Sequence, residues 1–190
     1  QLWGAEANGT YTLADAPALA PLYAARKKGV EFNVYVAETR PRLHGCRLTA
    51  WELQQADMKP MVVPDGVVPW LLKEGRVDIA ILPAERVAAN GDTLSRAGTY
   101  AIAAACRNHD VPFYFACTSS AIDLTMQDSN DFRIDLGDPA DMITSGNMKD
   151  VAVYNPVADV TPGCLVTGLI TDLGIISPVN GDKIEEAFAY

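Results

Sequence analysis

Glu31-Phe32-Asn33-Val34-Tyr35-Val36-Ala37 is a short run of β-branched and aromatic residues, and after a polar stretch residues 48–57 take up helical spacing. Apolar residues on both faces of so short a run are what a strand buried in a parallel sheet requires. The same alternation recurs outward along the chain. Residues 60–63, 77–82 (VDIAIL) and 111–117 (VPFYFAC) read as further buried strands, and residues 65–74 and 95–108 as the helices between them. Upstream, residues 17–28 read as a helix with Pro17 near its start and Gly29 at its end. Downstream, Thr161 as N-cap, Pro162 and the stop at Gly174 predict a helix over residues 161–173. Strands alternating with helices at this spacing predict an α/β fold: a parallel sheet with helices on both faces.

The chain has 190 residues, of which 49% are hydrophobic and 21% charged, enough for one self-sufficient core and typical of a globular domain. It does not begin with Met, so a processed, nicked or excerpted chain is expected, and its first residues carry no basic-then-apolar leader pattern. No apolar run reaches the roughly 18 residues of a membrane span. Residues 1–95 are nearly neutral, but residues 96–190 hold 13 acidic against 5 basic side chains. An acidic half of this kind repels phosphate backbones, which argues against a nucleic-acid partner. Cys46, Cys106, Cys117 and Cys164 are scattered, and His44 and His109 are far apart, so neither disulfides nor a metal site is expected, and a cytoplasmic location follows. Residues 127–150, acidic and turn-rich, read as a long loop or flap near the active face, and residues 179–190 as a tail.

In open parallel sheets ligands bind beyond the carboxyl ends of the strands. Four polar clusters fall there: Glu38-Thr39-Arg40 with Arg42 and His44; Glu85-Arg86 followed by Asn90-Gly91-Asp92; Thr118-Ser119-Ser120; and Asn155 with Asp159. Acids, arginines and hydroxyls converging on one rim suit a small polar ligand. Structural duties compete at each position. Glu85 also fits as the partner of an arginine or as a helix cap, Arg40 as the partner of Glu38 or Glu85, and Asn90-Gly91-Asp92 as a turn alone.

Several runs resemble the methylthioribose-1-phosphate isomerase family, within the initiation factor 2B alpha/beta/delta-like superfamily. They are residues 34–53 (VYVAETRPRLHGCRLTAWEL), 86–92 (RVAANGD) with Gly98-Thr99-Tyr100, 112–114 (PFY), 120–124 (SAIDL), and 154–162 with Tyr154-Asn155-Pro156 and Asp159-Val160-Thr161-Pro162. The resemblance implies that residues 1–178 form a Rossmann-like C-terminal domain. It also implies that the family's helical N-terminal domain is absent from this chain and must come from a second chain, with a homodimer of such pairs above that.

The departures fall on positions that carry the family's chemistry. By resemblance the family's cysteine position is Ala5, beside Glu6, and its aspartate is Glu85. A substrate-contacting glutamine is His44, and an Asn-Lys pair is Ser95-Arg96. Aldose–ketose isomerisation needs two positioned acid–base groups. The expected reading is therefore a divergent enzyme subunit acting on a small sugar-like or anionic molecule by proton transfer, as an isomerase or with an altered reaction such as hydrolysis. Glu85 and His44 are its expected acid–base groups, Glu85 with a pKa raised by burial. Arg40, Asn90, Asp92, Ser95, Arg96, Asn155 and Glu6 are the expected substrate contacts, and no cofactor is called for. The alternative is a non-catalytic ligand-binding or regulatory subunit of a heteromeric complex.

Overall fold

The computed structural model describes residues 17–142 and 151–189. In chain order run α1 (Ala20–Lys27), β1 (Tyr35–Ala37), a π-helical turn (Gly45–Thr49) leading directly into α2 (Ala50–Gln55), β2 (Met61–Val63) and α3 (Val68–Lys73). Then come β3 (Ala80–Pro83), β4 (Arg86–Ala88), β5 (Thr93–Arg96), α4 (Thr99–Asn108), β6 (Phe113–Ala116) and β7 (Ile122–Asp123). The chain closes with β8 (Ala158–Thr161), β9 (Gly168–Thr171), β10 (Gly174–Ile176) and α5 (Gly181–Ala187).

The central sheet has the order β10-β9-β6-β3, with β3, β6 and β9 parallel and β10 antiparallel at the edge. β1 and β2 form a parallel pair. Period-2 alternation sends the side chains of these strands to two faces. Ala37, Ala80, Leu82, Phe113, Phe115 and Leu169 join Leu71 and Leu72 of α3 and Ile102, Ala103 and Cys106 of α4. Val36, Ile81 and Ala116 join Leu19, just ahead of α1, and Leu53 of α2 on the other. So β1 contributes to the same two faces as β3 and β6, and helices cover both, as the alternation predicts. Phe113 and Phe115 meet edge to face with centroids 5.0 Å apart in the heart of the first face.

Two expectations need correcting. Residues 161–173 are not a helix: Thr161 ends β8, a 3-10 turn spans Gly163–Leu165, and β9 follows. The Thr-Pro start signal serves that short turn, while the stretch 166–171, with β-branched Val166, Thr167, Ile170 and Thr171, favours a strand, and Gly168 to Ile170 pair with β6. Gly168 suits the close packing there, since a Cβ would lie 3.2 Å from the Tyr114 ring and from Ile176 O. The helix expected to start at Ser95 starts at Thr99, because residues 93–96 are drawn into a strand.

That strand belongs to a second sheet the alternation did not predict, with the order β7-β4-β5-β8. β4 and β5 form a hairpin around Asn90-Gly91-Asp92, with Gly91 at φ +93 and Gly91 N–H donating to Ala88 O at 2.9 Å. β5 then pairs antiparallel with β8 from Thr93↔Thr161 to Arg96↔Ala158. Its effect is to carry Arg96 and Asn155 to one rim of the central sheet.

Candidate functional site

β1 ends in a tight turn. Thr39 and Leu43 both have positive φ, +60 and +59, and Leu43 N–H donates to Thr39 O at 2.8 Å. Asp65, opening the turn before α3, holds this corner: its two carboxylate oxygens accept from the backbone N–H groups of Thr39 (2.8 Å) and Arg40 (2.7 Å). Arg47 N–H donating to Leu43 O (2.9 Å) folds the π-helical turn back over the same opening. Gly45 makes that possible, because a Cβ there would lie 1.8 Å from Ala37 O. The result is a recess lined by Thr39, Arg40, Arg42 and His44 on one side and Arg96, Asn155 and Val157 on the other. Its enclosed part has room for about one water (≈ 30 Å³), and it opens into a groove of ≈ 400 Å³ beside Arg42, His44 and Arg47.

Arg96 links recess and acid. Its Nε lies 3.0 Å from Oε1 of Glu85, with the two side chains 20% and 31% exposed. Glu85 is therefore not buried as expected. Nor does it line the recess itself; it stands behind Arg96. The anticipated alternative in which Glu85 serves an arginine is the observed contact, with Arg96 rather than Arg40 as the partner. Asn155, 5% exposed, is fixed by donating from Nδ2 to Asp138 O at 3.0 Å and by accepting from Gly137 N–H at 2.7 Å.

Three of the expected contacts lie away from the recess. Ser95 is buried and donates to Pro83 O at 2.7 Å, joining the second sheet to the end of β3. Asn90 Oδ1 accepts from Asp92 N–H (2.9 Å), and the Asp92 carboxylate accepts from Ser129 N–H (3.1 Å) and Gly163 N–H (3.2 Å). These groups tie the β4–β5 turn to neighbouring loops. Ala5 and Glu6 lie outside the described residues, as do residues 143–150 of the expected flap.

Two further residues organise the site: Asp65, which no sequence pattern singled out, and Asp159, which the sequence places at the rim without showing what it holds. Asp65 shapes the Thr39–Arg40 corner. Asp159, on β8, accepts from Gly98 N–H (2.7 Å) and from Tyr100 N–H (3.2 and 3.3 Å), capping α4 just beyond Arg96. Burial raises the Asp159 pKa, against the lowering effect of those backbone N–H groups. Burial also pushes the Cys117 thiol, at the end of β6, up to about 12, which makes it a poor nucleophile. Among the described residues there is no cluster of three or more His, Cys, Asp or Glu able to hold a metal, and no helix long and apolar enough to cross a membrane.

Fold and rim together define an α/β domain with a recess beyond its strand ends that is lined by Arg40, Arg42 and Arg96. Residues 8–178 match the Initiation factor 2 subunit family, and the chain belongs to that family. Its relatives include methylthioribose-1-phosphate isomerases: that of Gemmatimonas aurantiaca is 44% identical over 162 residues (85% of this chain, 46% of the relative). That of Desulforudis audaxviator is 40% identical over 174 residues (90% and 50%). The crystal structure of 5-methylthioribose 1-phosphate isomerase from Pyrococcus horikoshii OT3 superposes with a TM-score of 0.83 at 34% identity, covering 87% of this chain and 47% of that one. The structure of translation initiation factor eIF-2B subunit delta from A. fulgidus superposes with a TM-score of 0.82 at 32% identity, covering 89% and 51%. The chain thus spans about half the length of the relatives it matches.

Proposed function

We propose that the chain is a divergent enzyme subunit that takes a small sugar-like anion into the groove of ≈ 400 Å³, with its charge at the mouth of the recess, and transfers protons on it. The supporting observation is Arg96, which lines the recess with Arg40, His44 and Asn155 while holding Glu85 at 3.0 Å. A guanidinium of this kind binds phosphate or carboxylate in fixed geometry and keeps an acid–base group close behind it. In this reading Arg96 and Arg40 hold the anion, Glu85 moves a proton between neighbouring carbons, and His44 serves the oxygens. The reaction is an aldose–ketose isomerisation or an altered one such as hydrolysis, and needs no cofactor.

The remainder of the catalytic unit is proposed to come from a second chain carrying the helical domain, in a homodimer of such pairs, at a cytoplasmic location. Exposed apolar residues beside the recess support a cover: Tyr154, 77% exposed next to Asn155, with Leu136 and Met142. The test uses the natural assembly, identified by native mass spectrometry, with methylthioribose 1-phosphate and other pentose phosphates as substrates. Glu85→Gln should lower turnover by about 10²–10⁴-fold while melting as the parent does. Undiminished turnover in that variant rules out the role given to Glu85.

A second reading, a ligand-binding regulatory subunit, is favoured by the match to eIF-2B subunit delta of A. fulgidus and by Ala5 at the position where the resemblance implies a cysteine. Tight binding of a sugar phosphate with no turnover by the assembly would select it.

A further inference from the structure

A separate groove of ≈ 430 Å³ lies at the opposite edge of the central sheet. It sits where the chain leaves α4 and enters β6, beside the 3-10 turn that leads into β9. None of its lining residues lines the recess or the groove beyond the recess. Cys106 and Val166, 0% and 7% exposed, give it an apolar floor with Val111 and Leu165. Arg107, Asp110 and the exposed Cys164 line the same opening. An apolar cavity of this size with a few polar groups is the usual form of a small-molecule site.

The charges narrow the choice of molecule. Arg107 and Asp110 stand three positions apart at the end of α4, close enough in the chain to pair with each other. They do not: among the described residues neither makes an ion pair or a side-chain hydrogen bond. The chain turns between them, with α4 ending at Asn108, Asp110 at φ +55 and Val111 N–H returning to Cys106 O at 2.9 Å. The C-terminal end of α4 adds partial negative charge on the side of Asp110. A monoanion in this groove would meet Asp110 and a monocation would meet Arg107, so each would lose at one contact what it gained at the other. A zwitterion satisfies both, and an α-amino acid carries its two charges on one carbon. We propose that this groove binds a free α-amino acid with an apolar side chain. Its carboxylate lies at Arg107, its ammonium at Asp110 and the end of α4, and its side chain against Cys106, Val111, Leu165 and Val166. The site is independent of the reaction proposed for the recess.

The experiment is calorimetric titration of the natural assembly with leucine, with the alkylation of Cys164 by iodoacetamide, read by peptide mass spectrometry, locating the ligand. Cys106 is closed to solvent and its thiol is pushed up to about 11 by burial, so Cys164 is the reporter of the groove. Leucine should bind saturably and slow that alkylation. Glycine, without the apolar side chain, should bind about 10- to 100-fold more weakly. N-acetylleucine and leucinamide, each lacking one of the two charges, should bind about tenfold more weakly. Arg107→Met keeps most of the aliphatic stem, and Asp110→Asn suits the left-handed backbone at that position. Each should lower leucine affinity about tenfold while melting as the parent does. Absence of leucine binding, or binding that leaves Cys164 alkylation unslowed, overturns the proposal. So do equal affinities for leucine and its two singly charged derivatives, and variants that bind leucine as the parent does. A Cys164 that does not react at all in the natural assembly shows another chain seated on the groove and overturns it as well.

Discussion

Alanine at Gly45 places a methyl group 1.8 Å from Ala37 O and 2.9 Å from both Ala37 C and Thr39 Oγ1. Ordinary contact needs about 3.5 Å, so the π-helical turn must retreat by about 1.5 Å or more. The obstacle is backbone at the end of a buried strand, not a side chain that can swing away. Thr39 Oγ1, which donates to the same Ala37 oxygen at 3.2 Å, would be displaced with it. Overpacking of this kind costs about 3 kcal/mol, which for a chain of this length lowers Tm by about 6–12 °C. Gly66 is the internal control: it sits in the 3-10 turn Asp65–Val67 with nothing within 4 Å of a Cβ. Gly66→Ala should be neutral or stabilising by about 0.4–1 kcal/mol. Both variants are read by thermal and urea unfolding against the parent. Because the retreat shifts His44 at the recess and Arg47 in the groove, Gly45→Ala should also weaken phosphate binding where Gly66→Ala does not. If Gly45→Ala melts within about 2 °C of the parent, the close approach of this turn to β1 is not a real constraint and the shape of the recess has been misread.

Glu52, on α2, is 1% exposed and its Oε2 has no hydrogen-bond partner, so burial raises its pKa. The nearby Tyr23 hydroxyl of α1, also without a partner, is pushed up to about 12 by burial and by the charge of Glu52. A raised folded-state value means that the folded chain holds the Glu52 proton longer than the unfolded chain. Its stabilising contribution is full below the ordinary value of 4.5 and is lost as pH rises from there through the folded value. Glu52→Gln should therefore match the parent in urea at pH 4 and exceed it at pH 8; a variant weaker than the parent at pH 8 contradicts this. Asp65→Ala leaves the Thr39 and Arg40 N–H groups without their acceptor and should cost about 2 kcal/mol in urea unfolding. The same change should weaken sugar-phosphate binding, and a variant with parental stability and binding would show that the corner holds itself.

The central strands are legible because each one is apolar on both faces. Phe113, Tyr114, Phe115 and Ala116 go to alternate sides of one sheet, and no other element accommodates such a run so well. The second sheet is not legible: β4 and β7 have three and two residues, and β5 finds its partner at the distant β8. Residues 161–173 mislead because Thr161-Pro162 starts a 3-10 turn as readily as a helix. At the rim, Arg40, His44, Arg96 and Asn155 could be marked as polar residues following strands or as family motifs. The parts played by Asp65 and Asp159 could not, since each is defined by backbone N–H groups 25 and about 60 positions away. Asn90 and Asp92 look the same in sequence whether they meet a ligand or tie a turn to its neighbours.

The pairing of Thr93 with Thr161 also has a temporal side. At ribosomal speeds of about 5–20 residues per second, β5 leaves the ribosome roughly 3–14 s before β8 exists to cover its free edge. During that interval the hairpin offers an open strand to any neighbour, the circumstance in which nascent chains mispair. The segment emerging meanwhile, residues 97–157, carries eight carboxylates against three basic side chains, so the half-made sheet is accompanied by a repulsive charge. Arg96 lies on that waiting strand, so the cation on which the proposed chemistry depends has no strand partner until Ala158 has been made.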